Sequence, residues 1–290
     1  MPDTLLRALD LEVRRRIDGL LQGEFQSSTY GPGMELAQVR RYELGDDVRQ
    51  IEWNVTARTG EPHVRVHLAE RNLTTWILLD SSPSMAFGTA DRRKADVAEG
   101  VALAAGHVAS ARGNHLRTIA FGSPARARIV PRPGKVGMLG ALWELRDADV
   151  LEGSGRTSLA DALHLVATAA GPRGAVFIVS DLRGERDWRK ALMRVAYRHD
   201  VVAVEIRDPR EQELADVGDV WLVDPETGRQ VRVDTRDVLL RRRFSEAATA
   251  EREELRRAVR STGSDHVVLS TSGDWLRSLA GFISSRRRFR

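Results

Sequence analysis

"TWILLDSSPSMAFG", residues 75–88, runs apolar through Leu79, reaches one carboxylate at Asp80 and then breaks into three serines and a proline. The apolar half reads as a strand buried on both faces, the habit of strands in parallel sheets. In open α/β sheets, ligands bind beyond the carboxyl ends of strands where the strand order reverses. Oxygens placed directly after a buried strand therefore mark a candidate site.

Downstream the same alternation recurs. A helix is predicted from about Arg92 to Arg112, then the strand "LRTIAFG", an edge strand "ARARIV", and helices over 136–145 and 158–170. "GAVFIVSD" is a further strand, Asp187 to Arg198 a helix and "DVVAVEIRD" another strand. "VWLVDPETGRQVRVD" reads as a hairpin turned by Pro and Gly. A charged helix near Arg241 to Arg260, the strand "DHVVLS" and a last helix complete the chain. Strands alternating with helices at this spacing call for an α/β domain with a largely parallel, doubly wound sheet.

Upstream the style differs. Leu5, Leu6, Leu9, Val13, Ile17, Leu20 and Leu21 recur at helical spacing, followed by the turn-rich Gly31, Pro32 and Gly33. Residues 34–72 are dense in charge, with alternating pieces such as "HVRVHLAE". The expected division is an N-terminal helix and strand-rich extension over 1–72 and an α/β domain over 73–290.

At 290 residues, 42% hydrophobic and 30% charged, the chain has the composition of a globular protein. Forty-five Lys and Arg against forty-one Asp and Glu leave a formal charge of +4, which does not argue for nucleic acid. Basic residues cluster at Arg241–Arg243 and in the terminal run Arg286, Arg287, Arg288 and Arg290, where an anionic membrane surface or acidic partner has a place to bind. There is no cysteine, hence no disulfide or thiolate metal site. With neither a signal-peptide pattern nor a membrane span, the expectation is a cytoplasmic protein.

Three oxygen-rich segments fall near strand ends. Asp80, Ser82 and Ser84 have the spacing D-x-S-x-S. In a continued strand Asp80 and Ser84 would lie about 13 Å apart, at roughly 3.3 Å per residue, so grouping them around an ion requires the chain to curl, and Pro83 and the serines favour that turn. "EGSGRTSLADAL" sets Thr157 behind two glycines and before a helix, and Asp181 ends its strand as Asp80 does.

As an ordered set, Asp80, Ser82, Ser84, Thr157 and Asp181 resemble the metal-ion-dependent adhesion site of von Willebrand factor A domains. That resemblance implies that Ser82, Ser84 and Thr157 bind a divalent ion directly, while Asp80 and Asp181 hold it directly or through water. Hydroxyl and carboxylate oxygens suit hard ions, Mg²⁺ first, with Mn²⁺ and Ca²⁺ as alternatives. With neutral hydroxyls in much of its inner shell, such an ion favours a carboxylate brought by a partner.

"VRRYELGDDVRQIEWNVTARTGEPHVRVHLAE", running directly into the Asp80 strand, is similar to the bacterial domain-of-unknown-function family fifty-eight, over about residues 23–275. The resemblance implies pairing with MoxR-type AAA+ ATPases, the metal-bearing protein serving as adaptor or co-chaperone. The expected function is thus a non-enzymatic, metal-dependent protein-interaction module that binds an acidic side chain of the ATPase or its client. The alternatives are a metal-dependent hydrolase in which the same ion activates water and a scaffold whose site is vestigial.

Rival chemistries fit less well. "GSGRTS" misses the phosphate-loop pattern, with Val150 where glycine is needed and Arg156 where lysine is needed. A serine nucleophile lacks the G-x-S-x-G elbow. His63 and His67 read as one outer face of a strand rather than a zinc pair. Trp53, Trp143, Trp221 and Trp275 are expected in core or interface packing. Arg40, Arg41, Asp46, Asp47 and Arg49 are expected to form an ion-pair network that anchors the extension to the sheet, with Trp53 as an apolar plug; the alternative is a docking surface for the ATPase.

Overall fold

A computed structural model describes residues 38–43, 46–66, 73–111, 114–122, 131–147, 158–169, 173–184 and 186–287. The chain divides into two compact units, Phe25–Asn72 and a larger one that contains Leu73–Arg290. The predicted helix over 4–21, the strand "ARARIV", His67, Thr157 and the terminal Arg288 and Arg290 lie outside the described residues.

In the smaller unit, β1 (Gln38–Arg41) pairs antiparallel with β2 (His63–Val66), Arg41 opposite His63. Helix α1 (Trp53–Thr59) stands between them and ends at Gly60, whose φ of 73° gives the left-handed cap that glycine adopts without a Cβ clash. The ion pairs are narrower than expected. Arg40 grips Asp46 with two hydrogen bonds of 2.7 Å and holds its acid below the usual carboxylate range. Arg41 turns instead to Glu61 at 2.9 Å, and Asp47 accepts from the Arg49 backbone as a cap for the turn Val48–Gln50. Trp53 is 70% exposed, so it plugs nothing. His63 is half-buried, its Nδ1 2.7 Å from the Glu61 carbonyl.

The larger unit is built on a six-stranded sheet. Its strands are β3 (Thr74–Asp80), β4 (His115–Phe121), β5 (Arg132–Pro133), β6 (Ala175–Ser180), β7 (Asp200–Arg207) and β10 (Asp265–Ser270), in the order β10-β7-β6-β3-β4-β5. Every neighbouring pair is parallel except β5, which runs antiparallel at the edge. The largely parallel α/β sheet read from the sequence is present.

Period-two alternation along β3 divides the core. Ile77 and Leu79 join one apolar cluster with α2 (Lys94–Ala111), α3 (Gly134–Asp147) and α7 (Trp275–Arg287). Trp76 and Leu78 join the opposite cluster with α4 (Leu159–Thr168), α5 (Trp188–Arg198) and the end of α6 (Val238–Arg260). Both faces are covered, which is why the strand shows no polar alternation.

The helices follow their sequence periods. In α5, Trp188, Ala191, Leu192 and Val195 are the buried residues, a stripe at i, i+3, i+4 and i+7. Each large aliphatic side chain so buried contributes roughly 1.5–3 kcal/mol. Helix α4 starts on a reciprocal capping box between Ser158 and Asp161, as the S-x-x-D spacing reads. Helix α2 is rich in alanine and glycine because it is packed closely: a Cβ on Gly100 would lie 2.4 Å from the Trp275 ring.

The hairpin is formed by β8 (Asp219–Val223) and β9 (Gln230–Asp234). Trp221 on it is 64% exposed, against the packing expected of it, whereas Trp143 and Trp275 do pack against the core. The Arg241–Arg243 cluster is partly consumed internally: Arg241 binds Asp216 and the Thr235 carbonyl, and Arg242 binds Glu246.

Candidate metal centre

The sheet order reverses at β3. Its chain successor β4 lies on one side, and β6, reached through the next crossover, lies on the other. The crevice beyond the β3 and β6 carboxyl ends is thus the switch point at which such sheets bind ligands. Leu79 is in register with Val179, which brings Asp80 beside Ser180 and places Asp181 one residue beyond.

Asp80 is buried and pinned through both oxygens. Ser180 Oγ donates to Oδ2 at 2.5 Å, and the Ser82 backbone N–H donates to Oδ1 at 2.9 Å. Burial, and then the charge of Asp181, push the Asp80 acid up to about 6. The chain leaves the strand as the spacing required. Pro83–Ala86 forms a single 3₁₀ turn, and it brings Ser82 Oγ to 3.1 Å from Ser84 Oγ. Gly122, at the end of β4, leaves room for this: a Cβ there would lie 2.7 Å from Asp80 Oδ1 and 2.9 Å from Ser82 N.

Asp181 is held from the other side. Its Oδ2 accepts from Lys94 Nζ at 2.7 Å, its Oδ1 accepts from the Arg183 backbone at 3.1 Å, and the Ser84 hydroxyl also bears on it. Burial alone would raise the Asp181 acid, but Lys94 and these hydrogen bonds outweigh it and hold the acid below its ordinary value. Leu182, just beyond, is the one non-glycine with positive φ among the described residues, at 55°. Backbone strain of this kind gathers at functional turns. Here it turns the chain back while Leu182 enters the core and its N–H donates to Ser180 Oγ at 2.9 Å.

Lys94 was not singled out in the sequence. It is fully buried, and its ammonium also donates to Glu211 Oε1 at 2.7 Å. A lysine heading an alanine-rich helix is the one signal that marks it. Ser180 and Glu226, whose Oε1 accepts from the Ser84 N–H at 3.0 Å, also belong to the site. Ser180 is legible only as a serine set between an apolar strand and its terminal Asp.

The structure therefore brings together Asp80, Ser82, Ser84 and Asp181, four of the five predicted site residues. Among the described residues no three His, Cys, Asp or Glu side chains are disposed to hold a metal ion. Any ion here depends on hydroxyl oxygens, and the paired serine hydroxyls beside two buried carboxylates, with Gly122 clearing the space, fit a hard divalent cation.

A doubly wound α/β domain with acidic and hydroxyl oxygens at its switch point is the class of protein defined so far. The chain belongs to the family described as "Protein of unknown function DUF58", whose model matches residues 38–254. It is 39% identical over 283 residues to the uncharacterized protein Rv1480 of Mycobacterium tuberculosis and equally to Mb1516 of Mycobacterium bovis, covering 98% of this chain and 89% of each relative. Among solved structures it is similar to conserved hypothetical protein BatB from Bacteroides thetaiotaomicron, 14% identical, with a TM-score of 0.47 over 74% of this chain and 99% of that one. It is also similar to von Willebrand factor type A from Catenulispora acidiphila, 16% identical, TM-score 0.26, over 61% and 42%. No described helix is long and apolar enough to cross a membrane.

Proposed function

We propose that this protein is a non-enzymatic interaction module that takes a carboxylate of a protein partner through a divalent cation, Mg²⁺ first. The observation that carries the reading is the convergence of Asp80, Ser82, Ser84 and Asp181 from two adjacent central strands on the switch-point crevice. Ser82 and Ser84, with Thr157 from the resemblance, would hold the ion, and Asp80 and Asp181 would orient it. When bound, the ion supplies a positively charged centre with room for an incoming anionic oxygen.

The chain's own residues prepare that crevice. Ser180 and the Ser82 N–H fix Asp80, and Lys94 fixes Asp181, so neither carboxylate has to be ordered when an ion arrives. The partner in this reading is a cytoplasmic MoxR-type AAA+ ATPase or its client, with the protein as adaptor, and the basic charge of the C-terminal sequence suits contact with an anionic surface. A hydrolase would need one of the crevice carboxylates to act as a base on ion-bound water, whereas in this reading Asp80 and Asp181 orient the ion.

The test is binding of Mg²⁺ by titration calorimetry, together with capture of the purified MoxR-type ATPase of the same organism. Wild type should bind both, capture failing in EDTA, and Asp80→Ala should bind neither while keeping its circular dichroism. Capture that ignores both EDTA and the substitution would refute the reading.

A further inference from the structure

The tip of the β8–β9 hairpin reaches the same crevice from 142 residues away in sequence, through Glu226 and the Ser84 N–H. Between Trp221 and Arg232 every residue is exposed except Glu226, which is half-buried. The contact is aimed by a loop with its own internal scaffolding. Asp224 Oδ1 accepts from the Glu226 N–H at 2.9 Å, Asp224 Oδ2 accepts from Thr227 Oγ1 at 2.5 Å, and the Asp224 carbonyl accepts from the Gly228 N–H at 2.8 Å. Gly228, at φ 69°, closes the turn.

The loop thus holds one carboxylate in a set direction, against the residue whose hydroxyl pairs with Ser82. A carboxylate presented to this turn from outside the sheet is the chemistry that the metal-site reading assigns to a partner. We propose that Glu226 is an internal carboxylate ligand of the centre, occupying the position that a partner's acidic side chain must take. The inference rests on the metal-site reading above and adds to it a resident occupant.

The rest of the hairpin suits a displaceable arm. Trp221, Val223 and Val231 on it are exposed apolar residues, and among the described residues its strands pair only with each other. A partner that draws the hairpin aside withdraws Glu226 with it. Until then, the affinity measured for any acidic ligand is reduced in proportion to the fraction of molecules with the arm displaced.

The experiment uses full-length protein and Mn²⁺ as the probe, with wild type, Glu226→Ala and Asp80→Ala. Amide hydrogen exchange without metal tests the contact, and water-proton relaxation with Mn²⁺ tests the ligand position. In Glu226→Ala the Ser84 amide should exchange at least about ten-fold faster, a loss of protection equal to roughly 1.4 kcal/mol. Bound Mn²⁺ should then relax water more strongly, because water replaces the carboxylate. Unchanged exchange, or faster exchange with unchanged relaxation, overturns the proposal while Mn²⁺ binding by wild type and its loss in Asp80→Ala leave the metal site standing. If wild type binds no Mn²⁺, or Asp80→Ala binds it equally, the metal-site reading fails and the internal ligand falls with it.

Discussion

Replacing Lys94 with methionine tests how the crevice is held together. The ammonium is fully buried and lies 2.7 Å from both Asp181 and Glu211. Methionine fills much of the same stem, so packing changes little while the charge is lost. Removing one partner of a buried ion pair costs about 3–5 kcal/mol, because the remaining charge is left uncompensated. Glu211 retains Arg183 at 3.5 Å and the Asp208 N–H at 3.0 Å, so the larger share of the loss falls on Asp181.

For a domain of this size each kcal/mol lowers the melting temperature by roughly 2–4 °C, so Lys94→Met should melt about 6–20 °C below wild type. The assay is urea and thermal denaturation followed by far-UV circular dichroism, in EDTA at neutral pH. Adding Glu211→Gln removes one of the stranded carboxylates and should recover part of the loss. A loss below about 1 kcal/mol, the scale of an exposed ion pair, would refute the argument.

Gly122→Ala places a Cβ 2.7 Å from Asp80 Oδ1 at a φ of 85°, and should cost about 1–3 kcal/mol by denaturation while weakening Mn²⁺ binding. Asp208 is buried, and although burial pushes its acid up, hydrogen bonds from Thr89, Thr271 and Arg210 outweigh this and hold it below its ordinary value. Its folded-state contribution is therefore present above the unfolded value of 3.8 and lost as pH falls through the lower folded one. Asp208→Asn should cost about 1–3 kcal/mol at neutral pH, a gap that narrows in denaturation curves taken below about pH 4. Gly100→Ala, facing the Trp275 ring, should cost about 1–3 kcal/mol by overpacking, whereas Trp53→Ala should stay within about 0.5 kcal/mol by the same measurement.

Much of the order of strands and helices after residue 73 was legible because the central strands are buried on both faces and helices such as α5 carry one stripe, as Trp76–Leu79 and Trp188–Val195 show; "ARARIV" lies outside the described residues, and the short edge strand at Arg132–Pro133 was not read from the sequence. The site was legible where chemistry is local: D-x-S-x-S declares its turn within five residues. Contacts made across the sheet were not. Lys94, Glu211 and Glu226 reach the crevice from three further segments, and no spacing rule links position 94 to 181 or 84 to 226. Trp53 and Trp221 escaped the reading for a related reason, while Trp143 and Trp275 pack against the core as expected. Residue type gives the area available for burial, but whether Trp53 or Trp76 is covered depends on neighbours supplied by the fold.

Lys94 also separates folding from metal binding. Asp181 is compensated by a permanent cation from helix α2, whereas among the described residues Asp80 accepts from the neutral donors Ser180 and Ser82. Closing the β3 and β6 ends together therefore does not wait for an ion, because the more heavily charged side of the crevice carries its own. Wild type should accordingly unfold in one cooperative transition with the same far-UV spectrum in EDTA and in Mg²⁺, and differ only by the stabilisation that mass action adds at the chosen ion concentration. In Lys94→Met that division ends: two carboxylates face each other without a resident cation, and Mg²⁺ should raise the melting temperature of the variant by more than it raises that of wild type. An equal rise in both would show that Lys94 does not share the charge that the ion meets, and that the crevice is electrostatically two separate sites.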